Sequence, residues 1–189
     1  MTFRNVHRYD TPAPSRTLKW ASTAWQMCVV ACLIGGAQAK AGPFELQGRI
    51  VGVHDGDTVT LLDADNRRHK IRVDGIDAPE LGQAFGKAAK VRLSELVARR
   101  NVVATCSKTD RYRREVCLVQ VDGVDAGGEM LRHGMAWYFR RYARELSQDR
   151  RTQYAFLEEQ ARITHRGLWA ETASIPPWEW RASKKQEHL

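Results

Sequence analysis

The sequence predicts an α+β fold that is mainly β: a five-stranded barrel backed by three helices. Three observations lead to this prediction. Five short segments carry strand-like patterns, a helical pattern is inserted after the third of them, and two further helical patterns follow the fifth. No internal repeat or low-complexity segment interrupts this order, so the 189-residue chain is expected to form one domain with terminal extensions.

The strand predictions rest on short runs rich in β-branched and apolar residues, bounded by turn-forming residues. Asp55-Gly56 separates the first two runs, and a polar stretch over residues 63–68 separates the second from the third. These three are therefore expected to form a meander. A charged hairpin tip, residues 108–114, joins the last two. The predicted strands are residues 46–53, 58–62, 70–76, 102–106 and 115–121.

The helix predictions rest on helical spacing of apolar residues and on capping residues. The first helix is predicted over residues 85–99 and the third over residues 147–165. The second begins after Asp125, which can cap it, and is ended by Gly134. The chain after Trp178 is expected to be loose. The apolar faces are predicted to carry Ala89, Leu93, Leu96 and Val97 in the first helix, and Phe156, Gln160 and Ile163 in the third.

The first 39 residues have the pattern of a secretory signal peptide. Basic residues precede an apolar run over residues 20–34, and Ala37-Gln38-Ala39 follows it. The small residues and the lack of a stop-transfer cluster favour cleavage after Ala39. A retained envelope anchor and a lipoprotein site at Cys32 are lesser alternatives. We therefore expect a signal over residues 1–39 and no stable membrane association after its removal.

The net charge and the cysteine content of the chain indicate which partners it binds and in which compartment it is found. The chain has a net charge of +8, and loss of residues 1–39, which hold four basic residues and one acidic residue, lowers it to +5. This favours polyanions such as nucleic acid or acidic membranes, although solubility is the simpler explanation of charge alone. Cys106 and Cys117 then remain as a disulfide, which we favour, or as two buried thiols. We expect a periplasmic or secreted protein with a domain over residues 40–180 and a flexible tail over residues 181–189.

Two acidic motifs lie at strand ends: Asp55-Gly56-Asp57-Thr58 and Asp77-Ala78-Pro79-Glu80. Each motif alone is explained as a turn, because Asp-Gly pairs tolerate positive φ and a proline ends strand pairing. With Arg72 shortly before the second motif, the two together predict a polar cleft. Calcium takes oxygen ligands, which makes Asp57, Asp77 and the carbonyl of Ala78 candidate metal ligands.

Arg72 and Asp77 would point to opposite faces of a regular strand, because they are five residues apart. Gly75 lies between them, and a glycine inside a strand commonly marks a bulge. One extra residue would return both side chains to the same face. We therefore predict a β-bulge at Gly75.

Three motifs occur in order at residues 55–59, 71–80 and 110–114. Together they resemble the thermonuclease family, typified by staphylococcal nuclease, and the resemblance extends over residues 48–169. The resemblance implies an oligonucleotide-binding (OB) fold and calcium-dependent cleavage of DNA and RNA that leaves 3′-phosphates. We expect a monomeric enzyme that favours single-stranded substrates.

The resemblance also implies roles by motif position. It makes Asp57, Asp77 and the carbonyl of Ala78 the calcium ligands, Glu80 the general base, and Arg72 and Arg114 the phosphate-binding pair. Tyr112 aligns with a tyrosine that contacts a nucleotide phosphate. We add Arg111 and Tyr142 as candidate substrate-binding residues, Tyr142 for base stacking.

Alternatives remain open at this point. Arg72 and Arg114 can instead form ordinary ion pairs with the aspartates, and Tyr112 can pack beneath its hairpin. A catalytically weak nucleic-acid-binding module of the same fold is the alternative function. Arg113 stands where the family commonly has glycine, so its turn is expected to need positive φ.

Overall fold

The computed structural model describes residues 42–171 and 173–187. The predicted signal peptide lies outside the described residues. Within the described part of the chain, no helix combines the length and the apolar character needed to cross a membrane.

A five-stranded barrel forms the centre of the fold, as the sequence predicted. The described strands are β1 (Phe44–Val53), β2 (Thr58–Asp63), β3 (Arg68–Val73), β4 (Ile76–Asp77), β5 (Asn101–Thr109), β6 (Glu115–Val121), β7 (Val124–Asp125) and β8 (Trp137–Tyr138). β1 pairs with β2 and β5, β2 pairs with β3, and β5 pairs with β6, all antiparallel. A parallel pairing of β3 with β6 closes the barrel. β4 and β8 form a small separate sheet.

Helices accompany the barrel, and the first three correspond to the three predicted ones. The described helices are α1 (Gly86–Val97), α2 (Ala126–Arg132), α3 (Gln148–Ile163), α4 (Pro177–Gln186) and two 3₁₀ helices, Arg140–Glu145 and Gly167–Ala170. Asp125 caps α2 as predicted, because its side chain accepts the backbone N–H of Gly127 at 2.9 Å. The signals at the start of α2 were therefore read correctly.

The hydrophobic core joins the barrel interior to α1, α2 and α3. α1 buries Ala89, Leu93 and Val97, as its spacing predicted, while Leu96 packs against the core from a partly buried position. Fully buried strand residues include Ile50, Val59, Leu61, Ile71 and Val119. Their alternation fixes the strand register, because a slip of one residue would turn each of them toward solvent.

The buried face of α3 is not the predicted one. Phe156 and Ile163, which defined the predicted face, are exposed. Polar residues lie on the buried face and find partners there: the hydroxyl of Tyr154 donates to Asp125 at 2.7 Å. Hydrophobicity alone therefore selected the wrong side of the helix. The residues that α3 buries are Tyr154, Leu157, Glu158 and Ala161.

The chain after Trp178 forms a fourth helix, so the expectation of a loose tail is wrong for most of it. α4 begins at Pro177, and proline suits the first turn of a helix because its φ is already helical and its missing N–H is not needed there. Of the residues in α4, only Pro177 is buried. The helix therefore depends on a few specific contacts rather than on a buried face.

Cys106 and Cys117 lie opposite each other in the β5–β6 ladder and form a disulfide. This is the favoured of the two alternatives that the sequence left open. The bond ties together the two strands whose connecting tip carries the third motif.

Candidate active site

Asp57 lies in the turn between β1 and β2 and is held from two sides. Its backbone N–H donates to the side chain of Asp55 at 3.0 Å. Its own carboxylate accepts the backbone N–H of Ala78 at 2.9 Å. Gly56 permits this approach, because a Cβ there would lie 2.6 Å from the Cβ of Ala78 and 2.8 Å from that of Ala89. The Asp-Gly motif therefore docks the first acidic turn against the second.

Arg72 and Asp77 lie on the same side, as predicted, but a turn rather than a bulge brings them together. β3 ends at Val73, and Gly75 adopts a φ of 77°, which a glycine accepts without steric cost. The predicted β-bulge at Gly75 is therefore wrong. Nη2 of Arg72 lies 2.9 Å from Asp77 Oδ1 and 3.1 Å from Asp57 Oδ2. One guanidinium thus joins the two acidic motifs.

A short sheet and a buried glutamate hold Asp77 in position. Asp77 belongs to β4 and lies opposite Trp137 of β8. Glu158 on α3 is 1% exposed. It accepts the backbone N–H of Tyr138 in β8 at 3.0 Å and pairs with Arg140 at 2.7 Å. The position of Asp77 therefore depends on α3 as well as on the barrel.

Glu80 lies in the loop between β4 and α1. The side chain of Gln83 accepts the Glu80 N–H at 3.2 Å, and the Gln83 N–H donates to the Glu80 carbonyl at 2.8 Å. Gly86 is needed beside that carbonyl, because a Cβ would lie 1.8 Å from its oxygen. The Glu80 side chain is 41% exposed, so it is open to water.

Arg181 on α4 also enters the site, which the sequence did not predict. Its Nη2 donates to Asp77 Oδ2 at 2.7 Å, and its Nη1 donates to Glu80 Oε1 at 2.7 Å. Burial lowers the pKa of Arg181, but the hydrogen bonds to Asp77 and Glu80 outweigh this effect and raise it above its ordinary value. The guanidinium therefore keeps its charge where it meets the two carboxylates.

Burial raises the pKa of both aspartates above the ordinary value. For Asp57 the positive charge of Arg72 opposes part of this increase. For Asp77 the hydrogen bonds from Arg181 and the charge of Arg72 oppose it. Burial therefore outweighs the favourable contacts with the arginines at both carboxyl groups.

Arg114 lies at the tip of the β5–β6 hairpin. Arg113 has a φ of 61°, as its place in the motif predicted. Asp110 accepts the backbone N–H of Arg114 at 3.0 Å and its Nε at 2.9 Å. Nη1 of Arg114 lies 3.5 Å from the hydroxyl of Thr58, which donates to Asp57 Oδ1 at 3.0 Å. Arg114 thus reaches the acidic motifs through Thr58, while its ion pair is with Asp110.

The three predicted substrate-binding residues fall into two places. Tyr112 is 65% exposed, with the guanidinium groups of Arg111 and Arg114 at 5.2 and 5.4 Å from its ring centre. It therefore does not pack beneath the hairpin. Tyr142 is partly exposed in the first 3₁₀ helix, and Lys108 lies 4.9 Å from its ring centre. This contact places Tyr142 beside β5.

The candidate metal ligands fit a hard divalent cation in kind. Asp57, Asp77 and the Ala78 carbonyl offer only oxygen atoms, and calcium binds carboxylates, carbonyls and water. In the part of the chain that the structure describes, no three His, Cys, Asp or Glu side chains are grouped so as to hold a metal ion. A metal at this place would therefore need water to complete its ligands.

Comparison with known proteins identifies the family of the chain. A family model described as "Staphylococcal nuclease homologue" matches residues 70–171, just over half of the chain. The matched segment contains Arg72, the second acidic motif and the hairpin tip. The chain belongs to the staphylococcal nuclease family. Members of this family are phosphodiester hydrolases, and the protein is an enzyme of this class.

Three relatives show how far the similarity to the staphylococcal nuclease family extends. The chain is 37% identical over 137 residues to an uncharacterized endonuclease of Haemophilus influenzae, and the aligned region covers 72% of this chain and 74% of that protein. It is 34% identical over 150 residues to a micrococcal nuclease of Shigella flexneri, and this alignment covers 75% of this chain and 83% of that protein. A probable staphylococcal-like nuclease of Oryza sativa is 39% identical over 120 residues, which is 64% of this chain and 23% of that protein.

Three contributors to this staphylococcal nuclease-like site were not predicted from the sequence: Thr58, Asp110 and Arg181. Thr58 and Asp110 lie inside the first and third motifs, so their hydrogen-bonding capacity next to candidate residues was an available signal. Arg181 offered no such signal, because it lies 104 residues from Asp77 in a segment that was expected to be loose.

Proposed function

We propose that the protein is a calcium-dependent endonuclease that hydrolyses phosphodiester bonds of DNA and RNA and leaves 3′-phosphates. The main support for the proposal is that Asp57 and Asp77 both contact the guanidinium of Arg72. Glu80 and Arg114 join the same cluster through Arg181 and Thr58. A cluster of buried charged side chains contributes little to the stability of a fold, because removing charges from water is costly. Carboxyl groups with a shifted pKa are instead concentrated at functional sites.

The residues of the cluster have separate tasks in hydrolysis. Asp57, Asp77 and the Ala78 carbonyl would hold calcium, which would supply positive charge to neutralise the phosphate. Arg72 and Arg114 bind phosphate oxygens, because a guanidinium presents a planar fork of donors and keeps its proton. Glu80 is open to water and accepts the proton of the attacking water molecule.

Single-stranded nucleic acid is the substrate form that these surfaces favour. Tyr112 and Arg111 extend from the hairpin tip, where an exposed ring and a guanidinium can contact a flexible strand. Tyr142 offers a second partly exposed ring for an unpaired base. The net charge of +5 that remains after loss of residues 1–39 supports binding to a polyanion. We expect the enzyme to act as a monomer.

The place of action that we propose is the periplasm or the cell exterior. The disulfide between Cys106 and Cys117 supports an oxidising compartment. The basic and apolar pattern of residues 1–39 supports export and cleavage, with an envelope-anchored form as the lesser alternative. The mature enzyme would then begin at residue 40 and include α4.

The test of the proposal is cleavage of single-stranded DNA and RNA by the purified protein with calcium or with a chelator. We expect cleavage with calcium, none with chelator, recovery when calcium is restored, and products that carry 3′-phosphates. Cleavage that persists in chelator would contradict the metal requirement. Calcium-dependent binding without cleavage would favour the alternative of a catalytically weak binding module.

A further inference from the structure

Arg181 meets the two carboxylates that the proposed function uses most directly. Nη2 donates to Asp77 Oδ2 at 2.7 Å, and Nη1 lies 3.4 Å from Asp77 Oδ1. Nη1 also donates to Glu80 Oε1 at 2.7 Å. A single guanidinium therefore engages both oxygens of a candidate metal ligand and one oxygen of the candidate base.

The same lone pairs cannot serve Arg181 and a metal ion together. Asp77 has a side chain that is only 2% exposed, and Arg72 already approaches its Oδ1 at 2.9 Å. Arg181 takes Oδ2, the oxygen that Arg72 leaves free. A divalent cation bound to Asp77 would also repel the guanidinium, since both carry positive charge at contact distance. Contact of Arg181 with Asp77 therefore opposes binding of a metal ion to Asp77, and a bound metal ion opposes that contact.

α4 is attached in a way that allows Arg181 to leave. Only Pro177 of this helix is buried. Trp178 stacks on Phe139 with ring centres 5.6 Å apart, and the side chain of Gln83 donates to the carbonyl of Ile175 just before the helix. An element with so little buried apolar surface opens at low free-energy cost compared with the barrel.

We propose that α4 is an autoinhibitory strap, with Arg181 as an internal competitor for the divalent cation. The inference rests on the proposed metal-dependent function of Asp77 and Glu80. In the closed state Arg181 neutralises both carboxylates and blocks Asp77 as a ligand. Calcium binds when the strap lifts, so the strap lowers the calcium affinity of the whole protein and sets the calcium concentration at which the enzyme becomes active.

Calcium titration calorimetry without nucleic acid tests the strap. The proteins are the wild type, Arg181→Gln, and the control Lys185→Gln, which changes an exposed cation of the same helix. We expect Arg181→Gln to bind calcium about tenfold more tightly, within the usual range for coupled sites, and Lys185→Gln to match the wild type. Trp178→Ala, which loosens α4 but keeps Arg181, should also bind calcium more tightly.

Hydrogen exchange gives a second readout that does not depend on catalysis. Amides of α4 in the wild type should exchange faster when calcium is added, because the metal displaces the helix. Equal or weaker calcium binding by Arg181→Gln, or unchanged α4 exchange, would overturn the strap. If the wild type binds calcium and cleaves DNA while Arg181→Gln binds no more tightly, only the strap fails. If no variant binds calcium, the strap and the proposed metal function fail together.

Discussion

Asp110 fixes the direction of Arg114 and also holds the backbone of the hairpin tip. It accepts the backbone N–H of Tyr112 at 2.8 Å and both the backbone and side-chain N–H groups of Arg114. Burial raises the pKa of Asp110, but the N–H groups of Arg114 together outweigh it, so the pKa lies below its ordinary value. The ionised form of Asp110 is therefore the form that the folded hairpin stabilises.

The substitution Asp110→Asn should release Arg114 and lower kcat/KM by about tenfold, because a phosphate-binding group loses its orientation. The folded pKa is depressed, so the stability that Asp110 adds is present above the ordinary carboxyl pKa and is lost as the pH falls through the folded value. The stability difference from wild type should therefore shrink between neutral pH and pH below 3.8. Urea unfolding of the wild type and of Asp110→Asn, at neutral pH and again below pH 3.8, measures this difference.

A matched control is Asp65→Asn at the β2–β3 hairpin, where Asp65 pairs with Arg67 on an exposed surface. This variant should keep wild-type cleavage. Equal losses of activity in the two variants would contradict a specific role of Asp110.

Single residues differ in how well the sequence revealed them. Asp57, Asp77 and Glu80 were singled out because their two motifs, in order with a third, resemble the thermonuclease family. The positive φ of Arg113 was predicted from the same resemblance, because the family commonly has glycine at this position. Arg181 was not predictable, because only the folded chain brings it to Asp77.

Two very short elements, β4 and β8, determine where Asp77 lies. Each has two residues, which is too short for any alternation to identify a strand. The sequence therefore extended β3 through Gly75 and predicted a bulge there. The small sheet is instead fixed from outside, by Glu158 on the buried face of α3. That face was also missed, since a buried glutamate looks like a surface residue until its partners are known.

The substitution Glu158→Ala should lower the free energy of unfolding by about 1–3 kcal/mol, because it leaves the buried N–H of Tyr138 without its acceptor. Cleavage should fall as well, since β8 no longer holds Asp77. Glu159→Ala is the control, because Glu159 is the exposed neighbour on the same helix. Urea unfolding and cleavage rates measure both effects. Equal unfolding midpoints for the two variants would refute this role of Glu158.

Across the whole molecule, closure of the barrel assembles the site. The parallel pairing of β3 with β6 places Arg72 beside Val116, so the hairpin tip and the first acidic turn meet at Thr58. The five barrel strands were predictable, because each buries an apolar face with a clear pattern. The position of α4 was not, because its attachment uses few buried residues.

The measurement that tests the account most directly compares calcium-dependent cleavage and binding of single-stranded DNA by wild type and Glu80→Gln. Glu45→Gln, on the exposed start of β1, is the control. Glu80→Gln should keep binding and lose turnover by about 10²–10⁴-fold, because the substrate contacts remain while the proton acceptor is lost. Glu45→Gln should match the wild type. Cleavage by Glu80→Gln at the wild-type rate would contradict the account.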